Sequence, residues 1–353
     1  MKKLVLCLLI LVLTGANIWM IYNCELKPVG TSNNKKDFIV EKGETYISIA
    51  SKLKSANLIR SELAYKVYLK LNNLKPLDAG KYQLSEDMSV EKIVNTLGAG
   101  SNYNNDTISI TFKEGKNMRY IASLIEEKTN NKAEDVFTLL KNDTYIENLI
   151  SEYWFLTDEI KNKEIYYPLE GYLFPDTYEF LNKDVKVETI FKKMLDHLSG
   201  KLEPFRSEIE ESNYSIHKLI TLASIVELEG ATSKDRAGVA GVFYNRLNSG
   251  WALGSDVTTY YAEKIDDWSQ GLTWKALDSC NSYNTRGPCV KGLPVGPICN
   301  PGLESLASVF EPESHNNYFF VADCNGKTYL NKDATSHERT IKELRASNLW
   351  CEN

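Results

Sequence analysis

The stretch that most narrows the possible folds runs from His217 to Gly230, H-K-L-I-T-L-A-S-I-V-E-L-E-G. It predicts a helix, with Ser215 as N-cap and Gly230 as the stop signal. Leu219, Leu222 and Val226 recur at i, i+3 and i+7, which marks a buried stripe. Glu229, three residues past Val226, continues that stripe, whereas Glu227 points roughly 200° away at about 100° per residue. The apolar stripe therefore ends in a carboxyl. Desolvation favours the neutral form of a carboxyl, and a protonated glutamate at the edge of a groove has the property a general acid needs. The same pattern suits a solvated last-turn residue or one half of a structural ion pair. The helix alone leaves both open.

At 353 residues the chain is long enough for about two domains. With 43% hydrophobic and 25% charged residues it can bury a core without staples. A net charge of −6 argues against a nucleic-acid partner. The 6 tryptophans and 20 tyrosines suit a carbohydrate groove and a core equally, so they do not discriminate.

Lys2 and Lys3 precede a mostly apolar run, Leu4–Tyr22, of nineteen residues. That is close to the roughly 20 residues that span a bilayer as a helix, and lysines on this side keep the N-terminus in the cytoplasm. Residues 1–23 are expected to be a retained single-pass anchor. A cleaved signal peptide fits less well, because Ile18-Trp19-Met20-Ile21-Tyr22 stays apolar beyond the Thr14-Gly15-Ala16 site. The remainder then lies outside the cytoplasm.

Residues 24–36, which include the polar G-T-S-N-N-K-K of Gly30–Lys36, read as a linker. Residues 37–106 read as a small α/β subdomain. Phe38–Leu53 predicts a strand, a glycine turn and a helix with Ile47, Ile49, Ala50 and Leu53 inward. A helix over Ser61–Leu71, a turn and strand over Asp78–Leu84, and a helix over Ser89–Leu97 follow. The polar Ser101–Asp106 stretch marks a boundary, after which residues 107–353 form a larger mixed α+β domain. There, Ile108–Glu114 reads as strand and turn. Helices are expected over Met118–Lys128, Ala133–Lys141, Val187–Leu198 (stopped by Gly200 and Pro204) and Asp235–Asn248 (ended by Gly250). Tyr167–Tyr178 holds two prolines, a glycine and four aromatic residues, which predicts a rigid loop whose rings face sugars or fill a core corner.

Several of these segments together resemble the YceG-like family of endolytic murein transglycosylases. The resemblance rests on Ala223–Glu229 followed by Val242-Phe243-Tyr244-Asn245-Arg246-Leu247, and on the E-G-Y-L-F-P-D-T-Y of Glu170–Tyr178. Leu253–Tyr261 is similar to the family's L-Q-S-D-P-T-V-x-Y, with Gly254 in place of Gln and Val257 in place of Pro. Tyr283-Asn284-Thr285 matches Y-N-T, and Gly292–Gly302 matches G-L-P-P-G-P-I-x-N-P-G. Tyr318-Phe319-Phe320-Val321-Ala322 and His337 match the tail. The likeness spans the anchor, the small subdomain, which also resembles a LysM-type module or is a spacer, and the larger domain.

The resemblance implies a bacterial cell-membrane enzyme that cleaves the MurNAc–GlcNAc β-1,4 bond of nascent peptidoglycan strands and leaves 1,6-anhydroMurNAc ends. Penicillin-binding proteins or other wall synthases are the implied partners, and no cofactor is required. The family motif places the catalytic glutamate at Glu229, the residue at the end of the stripe, and we assign Glu227 a supporting role, orienting the site or binding a neighbour. The sugar's own 6-hydroxyl is the nucleophile, so no second carboxylate is needed. A hydrolase would instead pair two carboxyls about 5–5.5 Å or about 6.5–9.5 Å apart, and Asp256 is the candidate for the second. Asn245, Ser255, Asp256, Thr258, Asn284, Thr285 and Asn300 are expected either to contact sugar hydroxyls or to shape turns. Tyr172, Tyr261 and Tyr318 wall the groove or belong to the core. Arg246 binds an anionic substrate group or pairs with Glu227. A non-catalytic scaffold that binds the wall is the alternative. Outside the cytoplasm Cys280, Cys289, Cys299 and Cys324 are expected to form disulfides, with three possible pairings. With no C-x-x-C and scattered histidines, no metal site is expected.

Overall fold

The computed structural model describes residues 2–41, 43–100, 107–230 and 232–350, without the side chains of 2–13. It divides into two compact units, Met1–Thr107 and Ile108–Asn353, each with its own hydrophobic core. The expected anchor falls on a helix, Lys2–Glu25. Part of that run lies outside the described side chains. Among the described residues no helix is long and apolar enough to cross a membrane.

In the first unit, Lys36–Val40 pairs antiparallel with Gly80–Leu84, and Phe38 stands opposite Tyr82. Phe38, Val40, Tyr82 and Leu84 turn inward, as the two-residue period of a strand requires. They meet Leu53, Tyr65, Ile93 and Leu97 from helices Ala50–Ser55, Glu62–Leu71 and Val90–Gly98. Ser61 and Ser89 cap the latter two by accepting from the amides of Ala64 and Lys92. Ile47, expected inside, is exposed, because it lies in the turn before the helix starts at Ala50. The expected linker, residues 24–36, is tied down along part of its length. The amide of Gly30 donates to Glu86 O, that of Asp87 to Ser32 O, and Arg60 donates to Pro28 O.

Among the described residues the second unit is largely helical, with two antiparallel ribbons, Ile108–Thr111 with Thr177–Phe180 and Phe319–Ala322 with Thr328–Asn331. The chain is thus mixed α+β. The Tyr167–Tyr178 loop is irregular except at its end, where Thr177 and Tyr178 enter the strand. Gly171 in that loop has φ +87°, and a Cβ there would lie 2.5 Å from Pro297 Cβ, so the loop packs closely on the Gly292–Gly302 segment. The Val187 helix runs through Gly200 to Leu202, because Leu198 and Leu202 continue its buried stripe. The helix Ile216–Glu229 sits at the centre of this unit. From Leu219 to Val226 every residue is buried, so the predicted stripe is only one side of an enclosed helix. Its polar members bond within the helix, Thr221 Oγ1 to His217 O at 2.7 Å and Ser224 Oγ to Thr221 O at 2.7 Å. Helices Arg236–Asn248 and Leu303–Phe310 pack against it.

Candidate active site

Ser215 caps the central helix, accepting from the Lys218 amide, and the Gly230 amide closes its last turn on Val226 O at 2.8 Å. This end carries Glu227 and Glu229 in different directions. Glu227 is 6% exposed and saturated. It pairs with Arg236 at 3.0 Å and accepts from the Gly302 amide at 3.0 Å and the Ser305 hydroxyl at 2.7 Å. Its partner is therefore Arg236, which also reaches Glu304, and not Arg246. A carboxylate with a cation and two donors is a structural tie between the central helix and Leu303–Phe310.

Glu229 has no such cation in contact. It is surrounded by protein on most sides, keeps a partly exposed edge, and accepts one hydrogen bond from the Ser255 hydroxyl at 2.6 Å. Desolvation pushes its pKa above the usual carboxylate range. The Ser255 bond opposes this, Asp256 adds to it, and the more distant Arg246 and Arg286 oppose it.

Ser255 precedes the short helix Asp256–Ala262 but does not cap it, which leaves its hydroxyl for Glu229. Its own backbone is fixed from behind. The Ser255 amide donates to Thr285 Oγ1 at 3.1 Å, and the Thr258 hydroxyl donates to Ser255 O at 2.6 Å. Thr258 and Thr285 then join hydroxyl to hydroxyl at 2.8 Å. Asp256, half-exposed, is ion-paired with Arg286. Gly254 has φ +61° and open space around a Cβ. Val257 occupies the first helical turn, where proline also fits. A residue with a Cβ at position 254 would be strained by that φ in spite of the open space.

The structure thus brings Ser255, Asp256 and Arg246 around Glu229, and it corrects several direct substrate contacts. Thr258, Thr285, Asn284, Asn300, Tyr172 and Tyr261 are buried and spend their polar groups internally. Asn284 holds its own loop, donating to the carbonyls of Ala276, Leu277 and Ser279. Asn300 accepts from the Leu173 amide at 2.9 Å and donates to Lys116 O and Glu170 Oε1. Tyr172 bonds His217 Nδ1 at 2.8 Å, and Tyr261 donates to Glu170 at 2.9 Å. Asn245 is committed to the carbonyls of His315 and Asn317 and lines a cleft of about 530 Å3 with Tyr214, Tyr244 and His315. Arg246 donates to the carbonyls of Tyr318 and Leu253 at 2.7 and 2.6 Å, pinning two site segments together. Burial lowers its pKa below the usual guanidinium value, while Glu229 works against that shift.

Three residues escape the sequence reading. Arg286 follows the Y-N-T motif directly, and its cationic type was the available signal. Trp251 is 47% exposed, with ring centroids 5.1 Å from Tyr318 and 6.1 Å from Phe319. Glu170 opens the aromatic loop motif but is 1% exposed, and its carboxyl accepts from the Met118 amide, Tyr261 and Asn300. Of the four cysteines, Cys280 and Cys289 are bonded to each other, Cys324 is disulfide-bonded, and Cys299 is a free, buried thiol. Cys299 lies against Ser224 O, with its thiol donating to that carbonyl. Among the described residues no cluster suited to a metal ion occurs.

A family model described as the YceG-like family matches residues 38–343. The endolytic murein transglycosylase of Bacillus subtilis (strain 168) is 33% identical over 309 residues, covering 87% of this chain and 84% of that protein. A protein of the same name from Streptococcus pneumoniae serotype 2 (strain D39 / NCTC 7466) is 30% identical over 333 residues, which is 90% of this chain and 60% of the relative's length. The crystal structure of a YceG-like protein from Listeria monocytogenes aligns with a TM-score of 0.62 and 31% identity, over 88% of this chain and 100% of that one. On a family match that runs through both units and includes the Glu229 site, this chain belongs to the YceG-like family.

Proposed function

We propose that this chain is an endolytic lytic transglycosylase of peptidoglycan and that Glu229 is its single acid/base. The observation that carries the reading is the Glu229 carboxyl itself, desolvated, uncontacted by any cation and held by one hydroxyl, on a residue that is only partly buried. Its raised pKa favours the protonated form from which the reaction starts. The acid donates its proton to the glycosidic oxygen as the C1–O bond breaks, and the bonding pair stays with the leaving oxygen. The resulting carboxylate takes the proton of the MurNAc 6-hydroxyl while that oxygen bonds to C1. Glu229 ends protonated, no water is consumed, and the product carries a 1,6-anhydro ring. Because the nucleophile belongs to the same sugar, proximity replaces a second carboxylate. Asp256, paired with Arg286, tunes the acid instead of activating water. Trp251 and Tyr318 offer an aromatic face for a sugar ring.

In this reading residues 1–23 anchor the chain, the two units work on the outer side of the bacterial membrane beside the wall synthases, and residues 37–106 contact glycan. Protease digestion of intact spheroplasts that spares the C-terminal unit would overturn that placement. The deciding experiment on activity digests peptidoglycan with the full-length protein in detergent, wild type against Glu229→Gln, and reads the products by mass spectrometry. Anhydro-ended products that fall by about 10²–10⁴-fold in the variant are expected. Reducing-end products would make the enzyme a hydrolase with Asp256 as its second carboxylate. Glycan binding with no product from wild type would favour a scaffold.

A further inference from the structure

Between Leu277 and Leu303 the chain passes through the second unit without a helix or strand. Irregular segments longer than roughly 12–15 residues are uncommon in compact domains and are usually functional. This one supplies two consecutive residues to the candidate site. Thr285 holds the Ser255 backbone, and Arg286 pairs with Asp256. Since Ser255 donates to Glu229, the loop is one step removed from the acid in both directions.

Its own shape is fixed at the base. The two legs of the loop cross where Gly287 meets Ser279, and a Cβ on Gly287 would lie 2.2 Å from Ser279 O. The Cys280–Cys289 disulfide closes the same crossing, nine residues apart in sequence. Inside the closed loop Asn284 accepts from the Thr259 hydroxyl at 2.7 Å and from the Arg286 amide at 3.0 Å. Both cysteines are exposed, whereas Tyr283, Asn284 and Thr285 are buried. The covalent link thus stands outside a polar network that ends at the acid.

We propose that the loop closed by Cys280 and Cys289 is a positioning clamp for Glu229, which sets the Ser255 hydroxyl and the Arg286 guanidinium against the acid. The proposal rests on Glu229 being the acid/base. The charged groups that act on Glu229 are Asp256 on its short helix, Arg246 on Arg236–Asn248, and Arg286 on the loop. The loop governs the last directly and Asp256 through its ion pair, while Arg246 is held elsewhere by Tyr318 and Leu253. Opening the clamp loosens the Ser255 bond, moves the Arg286 cation away and leaves Asp256 unpaired. Each change strengthens the hold of Glu229 on its proton, which makes it a poorer donor.

The test compares full-length wild type with Cys280→Ser/Cys289→Ser. That substitution leaves the disulfide of Cys324 in place, which a reductant would not. Release of anhydro-ended product is followed across pH. A kcat about tenfold lower is expected, with KM changed less and the alkaline limb displaced to higher pH. Wild-type kcat and an unmoved limb in the folded variant would overturn the clamp. Thr285→Val, which removes the supporting hydroxyl at similar volume, is expected to reproduce both effects, and it decides the matter if the cysteine variant fails to fold. A wild type without activity, or an active Glu229→Gln, would instead count against the assignment of Glu229 and is distinguishable on that ground.

Discussion

Two carboxylates leave the same helix two residues apart and enter different surroundings. Glu227 meets Arg236, the Gly302 amide and the Ser305 hydroxyl, so its charge is matched from three sides. Glu229 meets the Ser255 hydroxyl, with the Asp256 charge adding to the effect of desolvation. Both carboxylates are largely enclosed, yet Glu227 is built as a tie between helices. Burial alone therefore does not make a general acid. The arrangement of cations and donors around the carboxyl decides whether it holds structure or exchanges a proton.

The strongest way to break this contrast is to exchange each carboxyl for its amide. Glu229→Gln is expected to lose product formation by about 10²–10⁴-fold, with no fall in thermal stability, because an amide carries no charge to desolvate. Glu227→Gln leaves Arg236 without its buried partner and is expected to cost about 3–5 kcal/mol of stability. Differential scanning calorimetry and product assays on the same preparations compare the two. A Glu227→Gln protein that keeps the wild-type unfolding temperature and makes no product would invert the roles assigned here.

A third carboxyl sharpens the comparison. Glu170 accepts from three donors like Glu227 but has no cation in contact, and desolvation pushes its pKa from 4.5 to about 7. The folded state then binds more protons than the unfolded state between those values. The stability this confers is fully present below pH 4.5 and is lost as pH rises through about 7. The shift corresponds to about 3 kcal/mol between the two ends of that window. Denaturant unfolding at pH 5 and pH 8 is expected to show this loss in wild type and a flatter dependence in Glu170→Gln. Equal slopes in both proteins would mean that Glu170 ionises without cost.

What was legible in the chain divides by how local its cause is. The Met118–Lys128 helix has the predicted bounds because its cap, Asn117, and its apolar period lie within the segment. The central helix likewise starts at its serine cap and ends at Gly230. The helix Asp143–Glu152 went unpredicted, although Asn142 caps it. Gly200 fails as a stop because Leu202, one turn beyond Leu198, is drawn into the core. The candidate site was less legible still. The buried hydroxyls of Thr258 and Thr285 serve each other across 27 residues of sequence, and Arg286 finds Asp256 across 30. Residue type marks Thr, Asn and Tyr as able to bind sugars. Only the fold shows that six of the predicted contacts already have partners inside the protein.

The smallest expected effect isolates the one bond that distinguishes Glu229 from an isolated buried acid. Ser255→Ala removes the hydroxyl and leaves the Ser255 amide free to keep its bond to Thr285. The hydrogen bond favours the carboxylate, so its loss raises the pKa of Glu229 further. The first proton transfer then comes from a weaker acid, and the second is made by a stronger base. These changes partly cancel, and kcat is expected to fall by about tenfold or less, under the roughly 1.5–3 kcal/mol of one full hydrogen bond to a charged group. The alkaline limb of the pH profile is expected to move upward, the same direction expected when the loop is opened, but with the Asp256–Arg286 pair intact. If the limb moves downward, the Ser255 hydroxyl does not stabilise the carboxylate, and desolvation is opposed by the two arginines alone.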